Sequence, residues 1–118
     1  MLLLVEDDEI NQLAIKKGIE KKYKVHVADS AVGEIKILEF NKVDLILMDI
    51  SIRGELNGLE FTKELENTDK YKHIPVIVVT AHASESDITN SVNAGSNDFL
   101  SKPFSVQELL GKIKKNLD

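Results

Sequence analysis

The sequence predicts an α/β fold, a doubly wound sandwich in which helices cover both faces of one parallel β-sheet. Short runs of β-branched residues and leucine alternate with longer segments whose apolar residues recur about every 3.6 positions. The third and fourth short runs are continuously apolar, which is typical of strands buried on both faces, as in a parallel sheet. Right-handed helical crossovers between such strands then close the chain into a single sandwich of β-α units.

Five short runs predict the strands, and the residues around them support the assignment. The strands are expected at residues 2–5, 24–28, 44–48, 76–79 and 97–100. Pro75 stands just before the fourth run, where a proline opens a strand without interrupting its ladder of hydrogen bonds. The resulting pattern is a (βα)5 sandwich, and its expected strand order is that of the flavodoxin-like class.

The segments between the strands have the apolar spacing of amphipathic helices. The apolar residues on this spacing are Ile10, Leu13, Ala14 and Ile19; Val32, Ile35, Leu38 and Phe40; Leu59, Phe61 and Leu65; Ile88 and Val92; and Val106, Leu109, Leu110, Ile113 and Leu117. Ser105 and Glu108 form a capping-box pattern before the last helix, and Gly95 is a helix stop. Asp29 with Ser30, and Ser84, stand where other helix N-caps are expected.

The composition is that of one ordinary globular domain spanning residues 1–118, and it excludes several classes of function. The 118 residues are 42% hydrophobic and 30% charged, and no apolar run approaches the ~20 residues of a membrane helix. A formal net charge of −5 argues against sequence-blind binding of nucleic acid. The absence of cysteine excludes disulfides and thiolate metal sites and fits the cytoplasm. The partners are therefore expected to be proteins or small molecules.

Polar residues stand at the end of four of the predicted strands. They are Glu6, Asp7 and Asp8 after the first strand, Asp49 after the third, Thr80 after the fourth, and Lys102 after the fifth. Because ligands bind beyond the carboxyl ends of parallel strands, we expect these residues to converge. An acid cluster, a lone aspartate, a hydroxyl and an ammonium predict a site for a cation and a phosphoryl group.

The residue types at this site favour magnesium. Clustered carboxylates repel one another, and a bound cation relieves the repulsion. An oxygen-only ligand set suits Mg²⁺, with Mn²⁺ as an alternative ion. Pro103 constrains Lys102 to an extended backbone that could aim its amine across the strand ends, and a cis bond between the two is a further alternative.

Several site residues also have a purely structural interpretation. Asp49 could be a turn or helix-cap aspartate, and a threonine such as Thr80 is common at the end of a strand. Asp8 and Glu9 could instead start the first helix, where acids interact favourably with the positive end of the helix dipole.

Motifs for other phosphate chemistry are absent from the sequence. There is no GxxxxGK[ST] or GxGxxG loop, which disfavours nucleotide binding by those devices. Residues 49–51 lack the second acid of an Asp-x-Asp phosphatase, and no flavin-type phosphate loop follows the first strand. His26, His73 and His82 are too scattered for a metal site, although His82 comes two residues after Thr80.

Five segments together resemble the receiver domains of two-component response regulators. The segments are 4–12, 44–50, 57–60, 80–83 and 95–104. They have the family's order and spacing over essentially the whole chain, and 9–12 and 80–83 are most similar to receivers of hybrid sensor histidine kinases. The resemblance implies a five-stranded parallel sheet flanked by five helices. It also implies a phosphorelay switch, a signalling domain and not an enzyme, that assists its own Mg²⁺-dependent aspartyl phosphorylation and dephosphorylation.

The resemblance implies a role for each site residue. Asp49 would accept a phosphoryl group from the phosphohistidine of a histidine kinase or a histidine phosphotransfer domain. The implied metal ligands are Asp7, Glu6 through water, Asp49 and the backbone carbonyl of Ser51, with Asp8 as a further candidate. Lys102 and Thr80 would contact the phosphoryl oxygens, and Phe99 would turn inward on activation. Ser51 and His82 flank the expected approach of water, so we expect them to tune the rate of dephosphorylation.

The chain departs from the family pattern at two places. The loop over residues 50–58 is one residue longer than usual and lacks a proline, and Phe99 replaces the commoner tyrosine. The main rival interpretation is a receiver-like module that binds proteins through its helical face without being phosphorylated. A small phosphatase or a flavin protein on a related sheet is disfavoured by the missing motifs. An output domain or a homodimer formed through the last helices is left open.

Overall fold

The computed structural model describes residues 1–6, 8–29, 31–49, 58–80 and 85–117, which form one parallel sheet covered by helices. The strands are β1 (Leu2–Val5), β2 (Val25–Ala28), β3 (Leu45–Asp49), β4 (Val76–Thr80) and β5 (Asp98–Ser101). The helices are α1 (Glu9–Ile19), α2 (Ala31–Phe40), α3 (Gly58–Glu66), α4 (Glu85–Asn93) and α5 (Val106–Leu117). Each helix follows the strand of the same number, so the predicted alternation is confirmed.

The strand order places a reversal of the winding beside β1. Every neighbouring pair is parallel, and the order is β2-β1-β3-β4-β5. The chain goes from β1 outward to β2 and then crosses to the other side of β1 for β3. Ligands of doubly wound sheets bind beyond the carboxyl ends of the strands at such a reversal. The flavodoxin-like order is therefore confirmed, and it points to the ends of β1 and β3.

The core has two layers, one on each face of the sheet. One hydrophobic cluster joins strand residues such as Leu3 to Leu38 of α2, and the other joins Leu4 to Ile15 of α1 and Ile113 of α5. Burying one aliphatic side chain contributes about 1.5–3 kcal/mol. Because both faces are covered, consecutive residues along β1, β3 and β4 are all buried. This is why polar residues first appear where those strands end.

The third, fourth and fifth strands each end one residue later than the sequence predicts. Asp49 pairs with Val79 across the β3–β4 ladder, and Thr80 pairs with Ser101 across the β4–β5 ladder. Asp49 and Thr80 are therefore the last residues of their strands. The sheet itself fixes their backbones.

Several apolar helix residues that the periodicity predicts as core-facing are exposed instead. They are Ile10, Leu13, Ile35, Phe40, Ile88, Val92, Val106 and Leu117. In α1 the buried residues are Ile15 and Ile19. At roughly 100° per residue, Ile10 and Leu13 lie on the far side of that helix. The side chains of Val32, Leu59 and Phe61 lie outside the described set.

The helix boundaries that can be compared agree with the predicted signals. The Glu108 N–H donates to Ser105 Oγ at 3.0 Å, which confirms the capping box of α5. Gly95 has a φ of 101° after α4, and a Cβ there would meet the Glu66 side chain. Ser30 and Ser84 lie outside the described residues, so their N-cap roles stay predictions.

Over the part of the chain that is described, no helix has the length and apolarity to span a membrane.

Candidate functional site

An ammonium group joins two carboxylates at the reversal of the winding. Lys102 Nζ lies 3.0 Å from Asp49 Oδ2 and 3.2 Å from Glu6 Oε2. Glu6 follows β1, Asp49 ends β3, and Lys102 follows β5. The three residues come from distant parts of the sequence and meet because their strands are parallel. The predicted convergence of these three residues is therefore observed.

Both carboxylates of this cluster are buried, which makes their charges costly. Glu6 is 1% exposed and Asp49 is 4% exposed. Burial raises the pKa of Glu6 from 4.5 to about 7, and the hydrogen bond and repulsion from Asp49 add to the shift. Lys102 and the Asp8 N–H oppose it. One ammonium does not neutralise two buried carboxylates, so the cluster favours a further positive charge, whether a proton or a metal ion.

Lys102 is held as a cation by the same contacts. Burial works to lower its pKa, but the hydrogen bond to Asp49 and the two carboxylate charges outweigh burial and raise it. Its backbone N–H donates to the Thr80 carbonyl at 2.7 Å, which ties the segment after β5 to the end of β4. The peptide bond between Lys102 and Pro103 is cis, the alternative that the sequence leaves open.

Thr80 and Phe99 occupy neighbouring strands beside this cluster. Thr80 is fully buried at the end of β4, next to the strand that carries Asp49. Phe99 pairs with Val78 in the ladder and packs, partly buried, against the core cluster that contains Leu3. Thr80 therefore ends the strand beside that of Asp49, and Phe99 lies in the next strand.

Asp8 is used by the first helix. Its Oδ1 accepts hydrogen bonds from the N–H groups of Ile10 and Asn11, so Asp8 is the N-cap of α1. The structural interpretation of Asp8 is thus observed, and its role as a metal ligand stays a prediction. Asp7, Ser51 and His82 lie outside the described residues, as does the loop over 50–57.

Two further sets of polar contacts were not predicted from the sequence, one beside the site and one at the start of β5. The Gln12 side-chain amide donates to the backbone carbonyl of Glu6. Asp98, at the start of β5, accepts hydrogen bonds from Lys112 at 2.8 Å and from Asn116 at 3.0 Å. A glutamine in the second turn after an acid cluster is a weak sequence signal. The pairing of Asp98 with residues four apart on α5 has the i, i+4 spacing of one helix face.

The described residues fit a hard divalent cation. Glu6 and Asp49 offer carboxylate oxygens at one point, and Mg²⁺ is commonly bound through one or two carboxylates with waters completing its shell. Their excess negative charge gives a physical reason for an ion to bind. Among the described residues, there is no cluster of three or more His, Cys, Asp and Glu residues that could hold a metal. An ion held by these two carboxylates would keep several waters.

Comparison with known proteins identifies the class. The profile of the response regulator receiver domain matches residues 2–114, so the chain belongs to that family and is a receiver domain of two-component phosphorelay signalling. Among curated relatives, the polar-differentiation response regulator DivK of Brucella anthropi is 36% identical over 117 residues, covering 98% of this chain and 94% of that protein.

Solved structures agree with this assignment. The receiver domain of a Pseudomonas aeruginosa sensor histidine kinase has a TM-score of 0.88 at 32% identity, over 98% of this chain and 95% of that one. That protein was crystallised with a magnesium ion coordinated in its active-site cleft. A CheY-like receiver domain protein from Methanospirillum hungatei has a TM-score of 0.87 at 30% identity, over 99% of this chain and 92% of that one.

Proposed function

We propose that Asp49 is the phosphoacceptor of this receiver domain and that it takes its phosphoryl group from a phosphohistidine. The observation that carries the proposal is the placement of Lys102 between Asp49 and Glu6. Asp49 ends a central strand, is held by the ladder, and has a cation beside it. A carboxylate in this setting is oriented for attack, and the ammonium lies where negative charge develops.

The transfer can be written from the groups in the cluster. A carboxylate oxygen of Asp49 forms the new O–P bond in line with the N–P bond that breaks, and the donor imidazole leaves with its electron pair. Lys102 stabilises the negative charge on the transferring phosphoryl oxygens. Asp49 must be ionised to attack, and the Lys102 ammonium 3.0 Å away favours its ionised form.

A magnesium ion is the proposed cofactor, with Mn²⁺ as an alternative. When bound, the ion neutralises charge on the carboxylates and orients the phosphoryl oxygens. Glu6, Asp49 and Asp7 would hold it together with the Ser51 carbonyl, and Asp8 is a further candidate. Two of these residues, Glu6 and Asp49, already meet at one point in the structure.

The response to phosphorylation is proposed to pass through Thr80 and Phe99. The new aspartyl phosphate is a dianionic group with strong hydrogen-bond acceptors, and the Thr80 hydroxyl moves to donate to it. Phe99 then turns into the space behind Thr80, which biases the helical face built from α4, β5 and α5. Ser51 and His82 are proposed to set the rate at which water removes the phosphoryl group.

The wider setting follows from this reaction. We propose that residues 1–118 form one receiver domain that acts in the cytoplasm and receives its phosphoryl group from a histidine kinase or a histidine phosphotransfer domain. It assists its own phosphorylation and dephosphorylation and is otherwise a signalling domain. An output domain, or a second copy bound through α4, β5 and α5, would read the change.

Phosphoryl incorporation from acetyl phosphate tests the proposal. Intact mass should show one added phosphoryl group on the wild-type chain when Mg²⁺ is present. The gain should disappear without Mg²⁺ and in Asp49→Ala. The matched control is Asp69→Ala, because the Asp69 side chain is 97% exposed and lies outside the site. Incorporation into Asp49→Ala at the wild-type level would refute the assignment.

A further inference from the structure

Glu6 is held at three of its polar groups by neighbouring elements. Its N–H donates to the Ala28 carbonyl at 3.0 Å, beyond the last pair of the β1–β2 ladder. Its Oε1 accepts the Asp8 N–H at 3.2 Å, and its Oε2 accepts Lys102 Nζ at 3.2 Å. The remaining polar group is the Glu6 carbonyl oxygen, which lies past the end of β1.

Gln12 binds this remaining group. Its side-chain amide Nε2 donates to the Glu6 carbonyl oxygen. Gln12 is itself fixed, because its backbone N–H donates to the Asp8 carbonyl at 2.9 Å, at the start of α1. The contact therefore ties the segment after β1 to α1, through two residues that are six positions apart in the sequence.

Losing this contact would have a specific consequence. A buried carbonyl without a partner costs about 1–3 kcal/mol, and the peptide group after Glu6 could rotate to recover a bond to water. Without this bond the segment after β1 could also shift relative to α1, and a shift of the Glu6 backbone would move its carboxylate relative to Asp49 and Lys102. The bond from Gln12 thus helps to hold Glu6 at its place beside Asp49 and Lys102.

We propose that Gln12 is a positioning residue for magnesium, acting through Glu6. It keeps the Glu6 carboxylate directed toward Asp49. Both carboxylates can then bind one ion without the entropy cost of first ordering the segment after β1. The inference rests on the proposed function, in which Glu6 and Asp49 hold Mg²⁺. Removing a group that is hydrogen-bonded to a metal-binding residue typically lowers metal affinity by about 10–100-fold.

Gln12→Met tests the inference with little change of shape. Methionine has a similar length and helix propensity but cannot donate the hydrogen bond. The Kd for MgCl₂, measured by calorimetry on the full unphosphorylated chain, is expected to rise roughly tenfold. The matched control is Gln107→Met, the same substitution at an exposed position of α5, which should leave the Kd unchanged.

A kinetic measurement separates positioning from a general loss of structure. The rate of phosphorylation by acetyl phosphate is measured against Mg²⁺ concentration for the wild type and Gln12→Met. Positioning predicts that the half-saturating Mg²⁺ concentration rises while the rate at saturating Mg²⁺ changes far less, because Asp49 and Lys102 are intact. A lower saturating rate and a lower free energy of unfolding, with the Kd unchanged, would overturn the inference.

A second variant and the wild-type binding measurement keep the test decisive. If Gln12→Met does not fold, Gln12→Asn retains an amide that is one methylene too short to reach the Glu6 carbonyl, and it should weaken Mg²⁺ binding similarly. A wild-type Kd in a folded variant overturns the role of Gln12 alone. Failure of the wild-type chain to bind Mg²⁺ would instead overturn both this inference and the proposed cofactor.

Discussion

Two clusters of lysine and carboxylate lie on this sheet, and their charge balance is opposite. The Asp49 cluster consists of Asp49, Glu6 and Lys102, with two buried carboxylates around one ammonium. The Asp98 cluster consists of Asp98, Lys112, Lys115 and Asn116, with one carboxylate among two ammonium groups and an amide. Both pair a carboxylate on a β-strand with lysine ammonium groups, so the difference lies in the count of charges.

The pKa values follow the balance of charge. In the Asp49 cluster, burial and Asp49 raise the pKa of Glu6 to about 7. Burial works to raise the pKa of Asp98 as well, but the hydrogen bonds from Lys112, the Phe99 N–H and Asn116 outweigh it and lower that pKa. The Asp98 cluster is thus satisfied by its own side chains and fastens α5 to β5. Counted over the described residues, the Asp49 cluster has more negative than positive charge, which is the property of a cation-binding site.

The largest effect is expected from Lys102→Met. Removing the ammonium takes away the charge that we propose stabilises the transferring phosphoryl group, and one such group is worth about 10²–10³ in rate. The rate of phosphorylation by acetyl phosphate at saturating Mg²⁺ should fall by about that factor, measured by intact mass over time. Lys72→Met is the control, because Lys72 is exposed and pairs with Asp69 outside the site. Equal rates in the two variants would contradict the role of Lys102.

A smaller effect is expected when Glu6→Gln is compared with the wild type across pH, without metal. The folded-state pKa of Glu6, about 7, lies above its ordinary value of 4.5. The folded chain therefore binds the proton more tightly, and wild-type stability should fall relative to Glu6→Gln as pH rises from 4.5 through 7. The difference corresponds to roughly 3 kcal/mol and should be constant at higher pH.

Urea unfolding at a series of pH values measures this difference. Addition of Mg²⁺ at the high end should restore the stability of the wild type and have less effect on Glu6→Gln. A stability difference between the two chains that does not depend on pH would contradict the excess of negative charge at this cluster.

The smallest of the three effects is expected from Asp98→Asn, and it should be confined to stability. Breaking charge-assisted hydrogen bonds at a largely buried carboxylate costs about 1.5–3 kcal/mol. Because the pKa of Asp98 is lowered, this contribution is complete above the ordinary value of 3.8 and is lost as pH falls through the folded-state value. Urea unfolding at neutral and acid pH measures it.

Two controls define the Asp98 cluster more sharply. Lys115 is 73% exposed and 3.7 Å from Asp98, so Lys115→Met should cost at most about 0.5 kcal/mol. The Kd for Mg²⁺ should be unchanged in Asp98→Asn. A weakened Mg²⁺ affinity in that variant would show that the two clusters are coupled, against the separation described above.

The sequence was sufficient for the fold and for the part of the site that parallel strands bring together. Glu6, Asp49, Thr80 and Lys102 could be predicted because each stands where an apolar run ends, and the ends of parallel strands share one edge of the sheet. The exposed positions of Ile10 and Leu13 could not be predicted from spacing alone. Their orientation depends on which stripe of α1 the sheet covers, and that is set by Ile15 and Ile19.

Contacts between specific polar groups could not be predicted from the sequence. The hydrogen bond from Gln12 to the Glu6 carbonyl depends on how the segment after β1 is positioned relative to α1. A glutamine and a glutamate six residues apart do not by themselves indicate such a bond. Asp98 pairs with Lys112 and Asn116 because α5 crosses β5 at a particular angle. Residues of this kind are found from the geometry of packed elements, and sequence patterns give only their candidates.

The most direct test of the central claim is to locate the phosphoryl group. The wild-type chain is phosphorylated with phosphoramidate, a small donor with the N–P bond of phosphohistidine, in the presence of Mg²⁺. Hydroxylamine then converts the acyl phosphate to a stable hydroxamate, and peptide mass spectrometry identifies the modified residue. The account predicts modification at Asp49, dependent on Mg²⁺ and on the donor. Modification at another carboxylate, with Asp49 unchanged, would contradict it.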